Sequence, residues 1–186
     1  MRSCITRVNR FGRASVAALL AVCLIGAVPV ASAALEGPAP LPPGQPAPQF
    51  EAVTLDGTPF SLKDALRARP VAVVFWSLLC GSCREELPLL QAALPLFEAA
   101  GVQLVGMNLD QETHKAPVQK YVTKEGYTFP ILLNQSGEKV FGVEEIFKVT
   151  VTPAFFLIGA NGTILYSHYG PLTTEEIAAV LAKTKG

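Results

Sequence analysis

Basic residues are not in excess in this 186-residue chain: fifteen Lys and Arg stand against fifteen Asp and Glu, and no long run of like charge appears. That absence excludes the electrostatic footprint of a nucleic-acid binder. Histidine is scarce, with two residues, and cysteine little commoner, with four. No second CxxC exists to complete a four-ligand zinc site. No internal repeat is present, and the length suits one domain with a sizeable core and little room for another.

What is there begins with a targeting pattern. Arg2, Arg7, Arg10 and Arg13 precede the apolar stretch ASVAALLAVCLIGAVPVASA, which ends in Ala31-Ser32-Ala33. A basic region, an apolar region and an A-x-A site predict a secretory signal over residues 1–33, cleaved after Ala33. The alternative is an uncleaved membrane anchor, since Ala14 to Ala34 approaches spanning length. Cleavage removes four arginines and no acid, leaving eleven basic against fifteen acidic residues, a net charge of −4. It also leaves two cysteines, Cys80 and Cys83, in an exported and therefore oxidising setting.

Residues 34–48 are rich in proline and predict an extended linker. A single α/β domain is expected from residue 49 to 186. Alternation around Asp56-Gly57 predicts a hairpin. The run VAVVFWS, Val71 to Ser77, predicts a central strand buried on both faces. Ser82 to Ala100 has helical spacing, with Leu87, Leu90, Leu94 and Phe97 on one stripe and Pro88 and Pro95 set to kink or divide it. Further strands are expected at VQLVGMNL, TFPILLN, TPAFFLIG and TILYSHY, with helices over Lys115–Lys124, around Lys139–Phe147 and over Thr173–Lys183. Strands alternating with helices before a closing hairpin predict helices flanking a mixed sheet.

The segment FWSLLCGSCREELP places Cys80 where the apolar strand gives way to the helix, and Cys83 one turn inside. The helix N-terminus carries partial positive charge and stabilises thiolate, the nucleophilic form. Cys80 is therefore the expected attacking thiol and Cys83 the resolving one. A structural staple closing so short a loop would stabilise little. Zinc would need two more ligands, and His114 and His168 lie far from the pair and from each other in sequence. Copper held by the two cysteines and a distant histidine is a further alternative.

The segments APQFEAVTLDGTPFSLKDAL, VAVVFWSLLCGSCREELP, GVQLVGMNLD, TFPILLN and VTPAFFLIGANGTIL resemble the TlpA/ResA-type thiol–disulfide oxidoreductases, exported thioredoxin-fold proteins related to the redoxins. The resemblance covers nearly everything after the signal. It implies a thioredoxin-like fold with an N-terminal hairpin and a central βα insertion. It implies Cys80, Cys83 and Glu86 as catalytic residues, with Glu86 handling the resolving thiol's proton or raising its pKa. It also implies Pro153 as a cis-proline facing the pair, with Thr152 before it and Trp76 as further substrate-contacting residues. No cofactor beyond the redox disulfide and no metal are implied. The implied partners are proteins with disulfides, such as apocytochrome c or copper-site proteins, with a membrane thiol transporter as electron donor and a periplasmic location. Three positions depart from the pattern: Leu79 stands where a Trp is common, Val74 where thioredoxins bury an Asp, and Ser82 where a Pro is common.

Two rival activities remain at this point. Peroxiredoxins resemble P-x-x-x-T/S-x-x-C around their peroxidatic cysteine; Ser77 matches the hydroxyl position and Val73 does not match the proline. Copper-delivery modules of the Sco type resemble C-x-x-x-C with a downstream histidine, for which His168 is the candidate.

Overall fold

The computed structural model of the protein describes residues 39–110, 114–134 and 142–185. The expected signal segment, 1–33, and the first part of the expected linker lie outside the described residues.

Local chemistry starts the fold at the hairpin. Strands β1 (Glu51–Thr54) and β2 (Pro59–Ser61) pair antiparallel with Glu51 opposite Ser61. The Asp56-Gly57 turn joins them, its carboxylate accepting hydrogen bonds from the Thr54 hydroxyl and the Thr58 amide while Gly57 takes φ 90°. Helix α1 (Leu62–Ala68) follows at once, because the Ser61 hydroxyl accepts the Asp64 amide and caps it.

The run Val71–Trp76 forms β3, every residue of it buried. It lies between parallel β4 (Gln103–Asn108) and antiparallel β6 (Ala154–Ile158). Strand β5 (Ile131–Leu133) runs parallel to β4, and β7 (Ile164–Tyr169) antiparallel to β6. The sheet order is β2-β1-β5-β4-β3-β6-β7. Helices α2 (Gly81–Ala92), α3 (Leu94–Ala99), α4 (Lys115–Glu125), α5 (Val143–Ile146) and α6 (Thr174–Leu181) complete the thioredoxin-like fold. The expected hairpin and the central α4–β5 insertion are both in place.

Alternation along β3 divides the core. Ala72, Val74 and Trp76 pack with Cys83, Leu87 and Leu90 of α2, and with side chains of α3, α4 and α6. Val71, Val73 and Phe75 pack on the other face with Leu62 and Leu66 of α1 and Phe147 after α5. Each fully buried Leu, Val or Phe contributes about 1.5–3 kcal/mol of burial, so these two layers supply most of what holds the sheet.

One expectation holds in part and another needs revision. Pro88 sits inside α2 without ending it, because it is on the exposed side, where solvent reaches the carbonyl its missing N–H leaves unbonded. The division falls at Ala93, and Pro95 occupies the first turn of α3, where a proline costs nothing. The arm assigned to a linker over 34–48 is, from Leu41, part of the domain. Leu41 and Ala47 are buried, and the Gly44 and Ala47 amides donate to the Ile164 and Gly162 carbonyls at 2.8 Å each. The Ile164 amide returns a bond to the Gln45 carbonyl at 2.9 Å. Prolines cannot donate, but Gly44, Gln45 and Ala47 between them can bond, and they cover the start of edge strand β7.

Candidate active site

Strands β3, β4 and β5 are parallel, so their C-terminal ends share one edge of the sheet, the usual location of sites in such folds. At the end of β3 the chain turns through Ser77-Leu78-Leu79 into α2, with Cys80 as its N-cap. Cys80 and Cys83 form a disulfide, their Cα atoms 5.3 Å apart. Cys80 is partly exposed and Cys83 fully buried, so an incoming partner reaches only Cys80.

The Cys80 sulfur sits among groups that favour negative charge once the pair is reduced. It accepts the Cys83 amide at 3.1 Å, and the Ser82 hydroxyl lies at 3.5 Å. The first turn of α2 carries no acid to offset the helix N-terminus. These features stabilise negative charge on that sulfur. The Thr152 carbonyl oxygen is 3.5 Å from the same sulfur. The Thr152–Pro153 peptide bond is cis, as the resemblance implied.

Glu86 is not the solvated side chain its helical position permits. It is 1 % exposed, while neighbouring Glu85 is exposed. Its Oε1 accepts the Leu172 amide at 3.1 Å, and its Oε2 has no hydrogen-bond partner among the described residues. Burial, only partly opposed by the Leu172 bond, pushes its pKa up to about 7. It lies one helical turn beyond Cys83, on the same buried side of α2.

Trp76, expected to contact substrate, does not line the site. It is fully buried in the layer beneath α2 and α4, its ring 6.1 Å from that of Tyr121. It lies against Gly106, where a Cβ would come within 3.1 Å of the indole nitrogen. The alternation of β3 turns residue 76 inward, so its role is packing. Val74, at the position where thioredoxins bury a carboxylate, is an ordinary core residue of the same layer. Leu79, by contrast, is 87 % exposed beside Cys80, and Val151 is 41 % exposed beside Thr152.

Sequence reasoning missed what holds the Cys80 turn. The Asp110 carboxylate accepts the Ser77 hydroxyl at 2.6 Å, the Leu78 amide at 2.8 Å and the Asn108 side-chain amide at 2.8 Å. The Ser77 oxygen in turn accepts the Leu79 amide at 3.1 Å. The available signal was N-L-D at the end of a parallel strand, where polar side chains gather at a site. The network also commits Ser77, the match to the peroxidase pattern, to supporting the turn. His168 lies on β7, two strands out from β3, with its ring 6.2 Å from that of Tyr166.

This geometry has counterparts in known proteins. The AhpC/TSA family matches residues 43–167. The chain is 30% identical to the thiol-disulfide oxidoreductase ResA of Geobacillus thermodenitrificans over 142 residues, 76% of this chain and 78% of that protein. It is 31% identical to the thiol:disulfide interchange protein DsbE of Escherichia coli K12 over 131 residues, 69% of this chain and 66% of that protein. The crystal structure of StoA from Bacillus subtilis superposes with a TM-score of 0.60 at 26% identity, covering 72% of this chain and 96% of that one.

Proposed function

We propose that this chain, a member of the AhpC/TSA family and a thiol–disulfide oxidoreductase, works through Cys80 and Cys83 as an exported reductase of selected partner proteins. The observation that carries the direction is Glu86. An ionised carboxylate one turn from Cys83 opposes a second thiolate and raises the resolving thiol's pKa. Ionisation of Cys83 then adds nothing to what the Cys80 thiolate supplies, which makes the pair a better electron donor than the same pair without the carboxylate.

The steps follow from exposure and proton affinity. The Cys80 thiolate attacks one sulfur of a partner disulfide, forming a mixed disulfide and releasing the partner's other sulfur as thiolate. Glu86, with a pKa near neutrality, takes the Cys83 proton, and the new thiolate attacks Cys80. The mixed disulfide breaks, and the partner's second sulfur leaves as thiolate. The two partner sulfurs take up one proton from Glu86 and one from solvent, so the partner carries away two electrons and the chain returns to the Cys80–Cys83 disulfide. Thr152, beside the Cys80 sulfur, offers its backbone to an extended partner.

Export rests on the arginine-rich, apolar, A-x-A pattern of residues 1–33. Among the described residues no helix is long and apolar enough to cross a membrane. The proposed clients are haem-site cysteines of apocytochrome c or cysteines of copper-site proteins, with electrons from a membrane thiol transporter. The test is the reduction potential of the Cys80/Cys83 pair, read with its alkylation state in intact cells. A value near −270 mV, about that of thioredoxin, with the pair kept reduced, supports the reading. A value of about −120 mV with the pair oxidised overturns it.

A further inference from the structure

The segment Thr150–Pro153, which carries Thr152 to the Cys80 sulfur, is held at both ends from β7. At its far end the Gly170 amide donates to the Pro153 carbonyl at 2.9 Å. At its near end the single hydroxyl of Tyr169 donates to the Lys148 carbonyl at 2.7 Å and accepts the Thr150 amide at 3.2 Å. Lys148 is in the left-handed region at φ 56°, the one non-glycine residue there among those described. Its own amide and that of Val149 are spent closing α5 onto the Glu145 and Glu144 carbonyls, at 3.1 and 2.7 Å. The loop therefore leaves α5 in a conformation that side chains rarely adopt, and the phenol meets it there.

The mount is stiff while the bonds themselves are at the surface. The Tyr169 ring packs on the core layer beneath α1, and Tyr169 pairs with Ala154 in the sheet. Between the two tethers, Val151 is 41 % exposed, and the Val151 and Thr152 amides have no hydrogen-bond partner among the described residues. Open backbone donors on a tethered segment beside a reactive sulfur are what an added strand requires. Order in that backbone before binding spares the cost of ordering it during binding.

We propose that Tyr169 is a positioning residue for partner recognition: its hydroxyl latches Lys148 and Thr150 so that Val151–Thr152 stands ready beside Cys80 for an extended polypeptide bearing a disulfide. This rests on the protein-disulfide reading above. The latch touches neither sulfur. The Thr152 carbonyl beside the Cys80 sulfur stays held from its other side through the Gly170–Pro153 bond, so loss of the latch acts first on the binding of a polypeptide.

The test compares the full chain with Tyr169→Phe, which keeps the packed ring and removes the hydroxyl. Both proteins, kept reduced by dithiothreitol whose direct reaction is subtracted, are given two probes: a ten-residue peptide with an internal disulfide, and bis(2-hydroxyethyl) disulfide, which has no backbone to pair. Losing one or two surface hydrogen bonds of pre-organisation is expected to raise the KM for the peptide about threefold to tenfold. The kcat, the rate with the small disulfide and the reduction potential should stay at wild-type values, while the melting temperature falls by a few degrees at most. Equal loss with both probes would mean that Tyr169 supports the cysteines or the fold, and the proposal fails. No change with either probe also overturns it, while the exchange activity stands. A wild-type chain that turns over the small disulfide but not the peptide removes the polypeptide partner. One that exchanges with neither removes the oxidoreductase reading itself.

Discussion

Glu86 and Leu172 are 86 positions apart in sequence and joined by a 3.1 Å hydrogen bond from the Leu172 amide to a buried carboxylate. The bond ties helix α2 to the turn before α6 and keeps an ionisable group out of water one helical turn beyond Cys83. One oxygen of that carboxylate is satisfied and the other is not. Burial raises its pKa, and the single Leu172 bond opposes that rise only in part.

The first prediction concerns pH. The folded chain binds the Glu86 proton more tightly than the unfolded chain, with a pKa of about 7 against 4.5. The contribution to stability is therefore full below pH 4.5 and is lost as pH rises through 7. Each tenfold of proton affinity is worth about 1.4 kcal/mol, so ionising Glu86 costs the fold on the order of 3 kcal/mol. Glu86→Gln should remove this slope: denaturant midpoints of wild type and variant should converge near pH 4.5 and the variant should be the more stable at pH 8. Single-turnover oxidation by a partner disulfide should lose an inflection near pH 7 in the same variant.

The second concerns the order of attack. Because Cys83 is fully buried and Cys80 is not, Cys83→Ser should accumulate a mixed disulfide between Cys80 and a partner peptide. Cys80→Ser should accumulate none. Non-reducing gel electrophoresis after acid quenching reads both, and a trapped adduct on Cys83 would reverse the assignment.

The third tests the carboxylate beneath the turn. Asp110→Ala leaves the Ser77 hydroxyl, the Leu78 amide and the fully buried Asn108 without their acceptor. The expected loss is about 1–3 kcal/mol of unfolding free energy. Asp110→Asn, which keeps one oxygen, should lose less. Urea titration measures the two, and equal stability of all three chains would show that the network does not hold the turn.

The fourth tests the packing of the indole. A Cβ at Gly106 would come within 2.9 Å of the Ile131 side chain and 3.1 Å of both Phe129 and Trp76. Overpacking of this kind typically costs about 1–3 kcal/mol, so Gly106→Ala should lower the melting temperature. The emission of the chain's one tryptophan should shift with it, since the indole must move or its neighbours must.

Much of the fold was legible because its signals are local. The apolar run of β3, the hairpin at Asp56-Gly57 and the stripe on α2 and α3 are patterns of period or propensity within a dozen residues. The position of Cys80 at a strand–helix junction follows from two such patterns meeting. What a single side chain faces across the fold is not local. Trp76 resembled a substrate contact until strand alternation placed it under α2. Proline content in the 34–48 arm hid the bonds that the residues between the prolines make to β7.

By itself, then, the sequence determined that a cysteine pair would open a helix where a strand of an α/β sheet ends, because chain connectivity and hydrophobic period suffice for that. The thioredoxin-like topology was implied by the family resemblance. The tertiary structure alone decided which ionisable groups are buried and what each touches. Glu86 meets Leu172, Ser77 meets Asp110 across 33 positions, and Tyr169 meets Lys148 across 21. The physical reason is that desolvation and hydrogen bonding depend on neighbours brought together by folding, and those neighbours carry no mark of one another in the order of residues.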